Sequence, residues 1–169
     1  VDARFFNLLP DEARSLDPQQ RIALELAWET LERAGLPPTA LKRDTGVFMG
    51  ASGSDYGRDD PALSALDGYR ATGQALSMLS GRVAYVLGVQ GPTLTVDTAG
   101  SASLVAIHQA ASALRRGECA QALAGGVQTL STPAAMVEFS RLGALAPDGR
   151  CKAFGAGADG TAWAEGGAV

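Results

Sequence analysis

Cysteine, histidine and long apolar runs are what this 169-residue chain lacks, and each shortage closes off a class of function. Two cysteines, Cys119 and Cys151, and one histidine, His108, are too few for a disulfide framework or a zinc site. Such sparing use of cysteine suits a reducing cytosol. No apolar run approaches the roughly 18 residues that a membrane-spanning helix needs. The opening residues, Val1-Asp2-Ala3-Arg4-Phe5-Phe6, carry no basic segment followed by an apolar stretch, so no secretory signal is visible. Charge is thin as well: 19% of residues are charged, the net charge is −4, and no block of one sign occurs. A nucleic-acid surface needs clustered lysine and arginine, and none is found. The composition therefore predicts a cytoplasmic protein with neither nucleic acid nor membrane as partner. An initiating methionine is also missing, and the chain reads as an excised part of a larger fold.

Glycine is in excess, at 21 of 169 residues. That is roughly one in eight against a usual ~7%, and it points to tight turns and close backbone packing. Hydrophobic residues make up 46%, enough to bury the core of one domain. A short helical turn opens at Pro10-Asp11 and runs through Leu16. A longer helix spans about Pro18 to Ala34, with Asp17 as N-cap, Pro18 at the first helical position and Gly35 as the stop before Pro37-Pro38. Its wide apolar face holds Ile22, Leu24, Leu26, Ala27, Trp28 and Leu31. Gly46 to Gly50 reads as a short buried strand, and Ala51 to Ala71 as an exposed loop. Gln74 to Leu87 reads as helical with a break near Ser80-Gly81. Thr93 to Asp97 is the strongest strand, β-branched and preceded by the Gly91-Pro92 turn. A helix follows from about Ser101 to Arg116, with an apolar face of Leu104, Ile107, Ala111 and Leu114 and a stop at Gly117. Ala120 to Val127 reads as a strand of small residues, Ser131 to Ser140 as a helix, and Gly166 to Val169 as the start of a further strand. Apolar strands alternating with helices predict a layered α/β domain.

Chemistry concentrates at Val96-Asp97-Thr98-Ala99-Gly100-Ser101-Ala102-Ser103-Leu104. A strand there runs into a helix through small residues, which places residue 100 on a tight turn at a helix N-terminus. Free N–H groups and the positive end of the helix dipole favour an anion at that point. A cysteine so placed has a lowered pKa and acts as a nucleophile. The residue present is Gly100, and on spacing alone it reads as a turn that only glycine tolerates.

The same residues resemble the active-site motif of β-ketoacyl synthase domains, especially those of modular type I polyketide synthases. The resemblance extends over the whole chain. It includes Phe5-Phe6, Leu16-Asp17-Pro18-Gln19-Gln20-Arg21, the run from Glu29 to Gly35, Ser80-Gly81-Arg82-Val83-Ala84-Tyr85, the run from Leu123 to Val127, and the run from Ala146 to Phe154. It implies a thiolase-like α/β fold of two similar halves, each with a five-stranded sheet. Residues 1–169 correspond to most of the first half, without its opening strand. Two catalytic histidines and a lysine of such domains belong to the second half.

The implied reaction is a decarboxylative Claisen condensation. An acyl chain arrives as a thioester on the phosphopantetheine arm of an acyl carrier protein and passes to a cysteine thiolate. A malonyl-type extender on a carrier then loses carbon dioxide, and its carbanion attacks the acyl thioester and expels the thiolate. No cofactor is bound directly; the arm belongs to the partner carrier. Neighbouring domains such as an acyltransferase are the other implied partners, and antibiotic biosynthesis is the implied setting. By the resemblance, Gly100 stands where the nucleophilic cysteine belongs, with its backbone N–H in the oxyanion hole. Thr98 and Ala99 shape the turn, and Met136 lines the acyl channel. Such domains are two-fold dimers whose sheets meet near the strand before the nucleophile, here Thr93, Leu94, Thr95, Val96 and Asp97.

Gly100 removes the implied acyl-enzyme step, because glycine offers no thiol. It is either an engineered replacement or a natural loss that leaves a non-condensing scaffold docking carrier proteins, or a decarboxylase alone. Lesser departures from the common pattern are Gln74, Ala102, Leu142-Gly143-Ala144, Gly155, Ala162 and Ala164.

The remaining candidates carry blander expectations. His108 lies eight residues beyond position 100 (108 − 100), about 12 Å along the helix axis, and is read as a packing residue. Cys119 and Cys151 are read as buried small hydrophobes. Gly46 to Gly53 lacks the Gly-Lys-Ser/Thr ending of a phosphate loop. Asp55, Asp59, Asp60 and Asp67 are read as a solvated loop rather than a cation site.

Overall fold

The computed structural model describes residues 1–57 and 66–169. Asp59 and Asp60, and part of the loop expected from Ala51 to Ala71, lie outside the described residues. The helices are α1 (Pro10–Ser15), α2 (Pro18–Arg33), α3 (Arg70–Gln74), α4 (Met78–Leu87), α5 (Ala102–Arg116) and α6 (Ala134–Arg141). The strands are β1 (Gly46–Gly50), β2 (Thr93–Val96), β3 (Ala122–Gln128) and β4 (Gly166–Ala168). They form one sheet in the order β2-β1-β3-β4. β1 runs parallel to both neighbours, pairing Gly50 with Val96 and with Gly126, and β4 closes antiparallel on β3 with Gly126 opposite Ala168. Every residue of the central strand β1 is buried.

Helices α2 and α4 cover one face of the sheet and α5 the other. Strand alternation divides the core accordingly. Val47 and Met49 of β1 join Leu24, Leu31, Leu79, Val83 and Leu123 in the larger cluster, while Phe48 joins Ala106, Ala110, Ala113 and Cys119 in the smaller one. The α2 cap forms as its sequence predicts, with the Gln19 N–H donating to Asp17 Oδ1 at 2.7 Å. Phe5, Phe6 and Trp28 meet edge to face, with Phe5 4.7 Å from Trp28 between ring centroids. A buried charge network crosses the α2/α4 layer. Arg82 donates to Gln20 Oε1 at 2.8 Å and to Glu12 Oε1 at 2.6 Å. Gln20 in turn donates to the carbonyls of Thr72, Gly73 and Ala75, which ties α3 to α2.

Three expectations are corrected. Helix α4 runs unbroken through Ser80-Gly81; the interruption falls earlier, at Ala75–Ser77, where the Gln20 amide holds the Ala75 carbonyl. Helix α6 begins at Ala134 rather than Ser131, because Pro133 disfavours helical backbone at Thr132 before it, and the Ser131 and Thr132 amides are taken up by Asp55. The inward face of α5 is not the leucine stripe. Ala102, Ala106, Ala110 and Ala113 are buried, whereas Leu104 is 70% and Ile107 49% exposed. Both stripes have helical spacing, and backbone proximity selects between them. At Gly50 an added Cβ would stand 2.4 Å from the Ala102 carbonyl carbon, and at Gly126 it would stand 2.7 Å from Ser103 Cβ. A helix seated that close to the sheet has room only for alanine beneath it.

Candidate active site

The turn between β2 and α5 is held by side chains of its own. Asp97 Oδ1 accepts the Ala99 N–H at 3.0 Å and the Ser52 hydroxyl at 3.4 Å. The Ser101 hydroxyl donates to the Thr98 carbonyl at 2.8 Å and lies 2.9 Å from Thr98 Oγ1. The Ala102 N–H reaches the Ala99 carbonyl at 3.0 Å, and α5 then propagates from Ser101. These bonds close the turn within six residues and place residue 100 at the positive end of a fifteen-residue helix.

The strain in this turn sits at Ala99, whose φ is +53°. Gly100 has no left-handed φ, and a Cβ built on it meets no heavy atom within 4 Å. The expectation that only glycine fits here is therefore overturned, since the backbone accepts an ordinary L-residue at position 100. Glycine is required nearby instead, at Gly50 and Gly126, where the N-terminal turn of α5 rests against the sheet.

A cavity of about 860 Å³ opens beside the turn, at the C-terminal ends of the parallel strands. Ala99 and Gly100 line it together with Ser103, Ile107, Phe139, Trp163 and Val169. Thr98 lies in the turn behind the lining, with its hydroxyl against Ser101. Met136 is 41% exposed and outside the lining; the α6 residue at the cavity is Phe139, whose ring stands 4.5 Å from that of Trp163. No periodicity marks Phe139 or Trp163 in the sequence, because they meet only when the segment after β3 folds back. Thr93 and Leu94 are exposed on the edge strand β2, while Asp97 has left the strand for the turn.

His108 is exposed rather than packed, because it faces away from the sheet that buries Ala106 and Ala110. Cys119 is buried against the smaller cluster. Cys151 is exposed, contrary to expectation; its thiol meets only the edge of the Thr161–Ala162 segment through hydrogen bonds, and no apolar cluster of the described residues covers it. The Ala162 N–H at 3.1 Å, joined by the Thr161 hydroxyl, holds the Cys151 thiol below its usual pKa. Among the described residues no three histidine, cysteine or acidic side chains are grouped to hold a metal, and no helix is long and apolar enough to cross a membrane.

The family model described as "Beta-ketoacyl synthase, N-terminal domain" matches residues 1–169. The chain belongs to the β-ketoacyl synthase family. Among curated proteins, this ketosynthase segment is 59% identical over 169 residues to polyketide synthase GfsB of Streptomyces halstedii, covering 98% of the chain and 3% of that protein. It is 59% identical over 167 residues to the spectinabilin polyketide synthase system protein NorC of Streptomyces orinoci, covering 98% of the chain and 7% of that protein. Among solved structures it resembles the ketosynthase from module 6 of the bacillaene synthase of Bacillus subtilis 168, with a TM-score of 0.85, 36% identity, and coverage of 98% of this chain and 28% of that one. The oxazolomycin ketosynthase domain OzmH KS7 of Streptomyces albus gives a TM-score of 0.86 at 40% identity, covering 98% and 29%. The chain thus spans a few per cent of the synthases it matches and under a third of the solved ketosynthases. The mixed α/β sheet and its helices match the N-terminal part of these thiolase-like ketosynthases.

Proposed function

We propose that residues 1–169 form the nucleophile-bearing half of a polyketide synthase ketosynthase in which the acyl-transfer step is abolished at Gly100. The observation that carries this reading is the pairing of an intact strand-turn-helix with an empty side-chain position at residue 100 on the wall of an apolar-lined cavity. In the parent reaction a thiolate at that position takes the acyl group from the phosphopantetheine thioester of a carrier protein, and the carrier thiol leaves. The carbanion left by decarboxylation of a malonyl-type extender then attacks the acyl thioester. Glycine supplies no atom for the first bond, so the chain holds an acyl thioester without exchanging it.

The protein acts in the cytoplasm, with an acyl carrier protein and neighbouring synthase domains such as an acyltransferase as partners. Its dimer forms through the open edge of the sheet at β2, where the exposed Thr93 and Leu94 leave unpaired backbone groups. The outward leucine stripe of α5 is covered by the remainder of the ketosynthase domain.

The test is intact mass after incubation with a reactive acyl thioester. The chain as it stands should show no adduct between residues 96 and 104, and the full domain carrying Gly100→Cys should acquire one acyl group there. A stable adduct on the unsubstituted turn overturns the proposal; adducts on exposed Cys151 do not bear on it.

A further inference from the structure

Helix α6 carries Phe139 at the cavity, yet none of its eight residues is buried. Beyond the Phe139–Trp163 ring contact the helix has little packing to fix it, so its position needs a further anchor. Its N-terminus has no capping side chain of its own, since Pro133 occupies the N-cap. The cap comes instead from a segment far away in sequence. Asp55 Oδ1 accepts the Ser131 N–H at 2.9 Å, and Oδ2 accepts both the Thr132 N–H and the Thr132 hydroxyl at 2.7 Å. The same hydroxyl oxygen receives the Ala134 N–H at 3.4 Å, which passes the anchor to the first helical residue. A carboxylate at this end also complements the helix dipole.

Asp55 is itself held from behind. The hydroxyl of adjacent Tyr56 donates to the Arg14 carbonyl at 2.8 Å and accepts from Arg21 at 3.1 Å. The Arg21 guanidinium lies 5.5 Å from the Tyr56 ring centroid. A continuous path therefore runs from α2 through Tyr56 and Asp55 to α6 and the cavity.

We propose that Asp55 is a positioning residue that latches α6, and with it Phe139, over the cavity beside Gly100. The latch sets the shape of the cavity mouth and so the acyl chains that fit; this second half rests on the acyl-binding reading above.

The test uses the full-length protein, with hydrogen exchange over residues 131–141 and binding of two non-hydrolysable probes, the thioether analogues of acetyl- and octanoyl-pantetheine. In the unsubstituted protein the Ser131 and Thr132 amides exchange roughly tenfold more slowly than an open chain. Asp55→Asn, which turns an acceptor oxygen into a donor, speeds exchange across α6 about tenfold and lowers octanoyl affinity more than acetyl affinity. Asp55→Glu, which retains the carboxylate, recovers part of both effects. A folded Asp55→Asn protein with unchanged α6 exchange overturns the latch. If that variant does not fold, Asp55→Ala removes every bond from Asp55 to residues 131 and 132, and unchanged exchange there overturns it equally. If α6 loosens while the two affinities fall alike, the selectivity role is overturned. If neither probe binds the unsubstituted protein, the acyl reading has failed, and the exchange result alone upholds or overturns the latch.

Discussion

Two glycines some 50 residues apart in sequence, Gly50 and Gly100, should respond in opposite ways to a side chain. At residue 100 an ideal Cβ meets nothing within 4 Å, and φ lies outside the left-handed region. Gly100→Cys therefore adds no clash, and it restricts the unfolded chain, a gain of about 0.4–1 kcal/mol. The new thiol stands at the N-terminus of α5, where the dipole favours the thiolate and lowers its pKa below the usual ~8.5. At residue 50 a Cβ stands 2.4 Å from both the Ala102 carbonyl carbon and the Ser103 nitrogen. Those are backbone atoms, so Gly50→Ala forces the start of α5 off the sheet by about 1 Å, a distortion that typically costs about 1–3 kcal/mol. Urea unfolding of both variants in the full-length protein, with iodoacetamide alkylation of Gly100→Cys across pH, reads out both claims. Exposed Cys151 serves as the internal reference thiol and buried Cys119 as the unreactive one. The reasoning fails if Gly100→Cys loses more than about 1 kcal/mol, or if the folded variant resists alkylation while Cys151 reacts.

Glu12→Ala leaves the Arg82 guanidinium, 7% exposed, without its carboxylate, and should destabilise by about 3 kcal/mol in chemical denaturation; a loss below 1 kcal/mol would show that the pair is solvated. Leu94→Glu should weaken self-association of the full-length protein in sedimentation while leaving the protomer folded, because Leu94 is already 42% exposed; unfolding of the variant would contradict this. The combined Leu104→Gln, Ile107→Gln and Leu114→Gln change should leave the isolated chain's stability within about 0.5 kcal/mol but destabilise the full-length domain, and equal effects in both would count against a covered α5 face. Partial burial pushes the Asp55 carboxyl up, but the Thr132 hydroxyl and the Ser131 and Thr132 amides outweigh it and hold the pKa below the usual carboxylate value. A depressed folded pKa gives stabilisation that is complete above the unfolded value, about 3.9, and is lost as pH falls through the lower folded value. Protection of the α6 amides, taken relative to the intrinsic exchange rate at each pH, should accordingly hold at neutral pH and fall only on strong acidification.

Local chemistry is what the amino-acid order could settle unaided. Asp17-Pro18 starts α2, Gly117 stops α5, and Val96 to Ser101 marks the turn where β2 meets α5, because caps, stops and turns depend on residues within a few positions of one another. The motif resemblance drew on the same short strings and led to the right family. What depended on distance in sequence was not legible. The spacing of α5 supports an alanine stripe and a leucine stripe equally, and only the close approach of Gly50 and Gly126 selects the alanines. Gly100 looked obligatory because a tight turn usually needs glycine; the fold puts the positive φ on Ala99 and leaves residue 100 in open space. The anchor of α6 lies 76 residues back at Asp55, a partner that no periodicity predicts. Hydrogen bonds within a turn are written in adjacent letters, whereas steric room and long-range capping exist only once the sheet has brought distant backbones together.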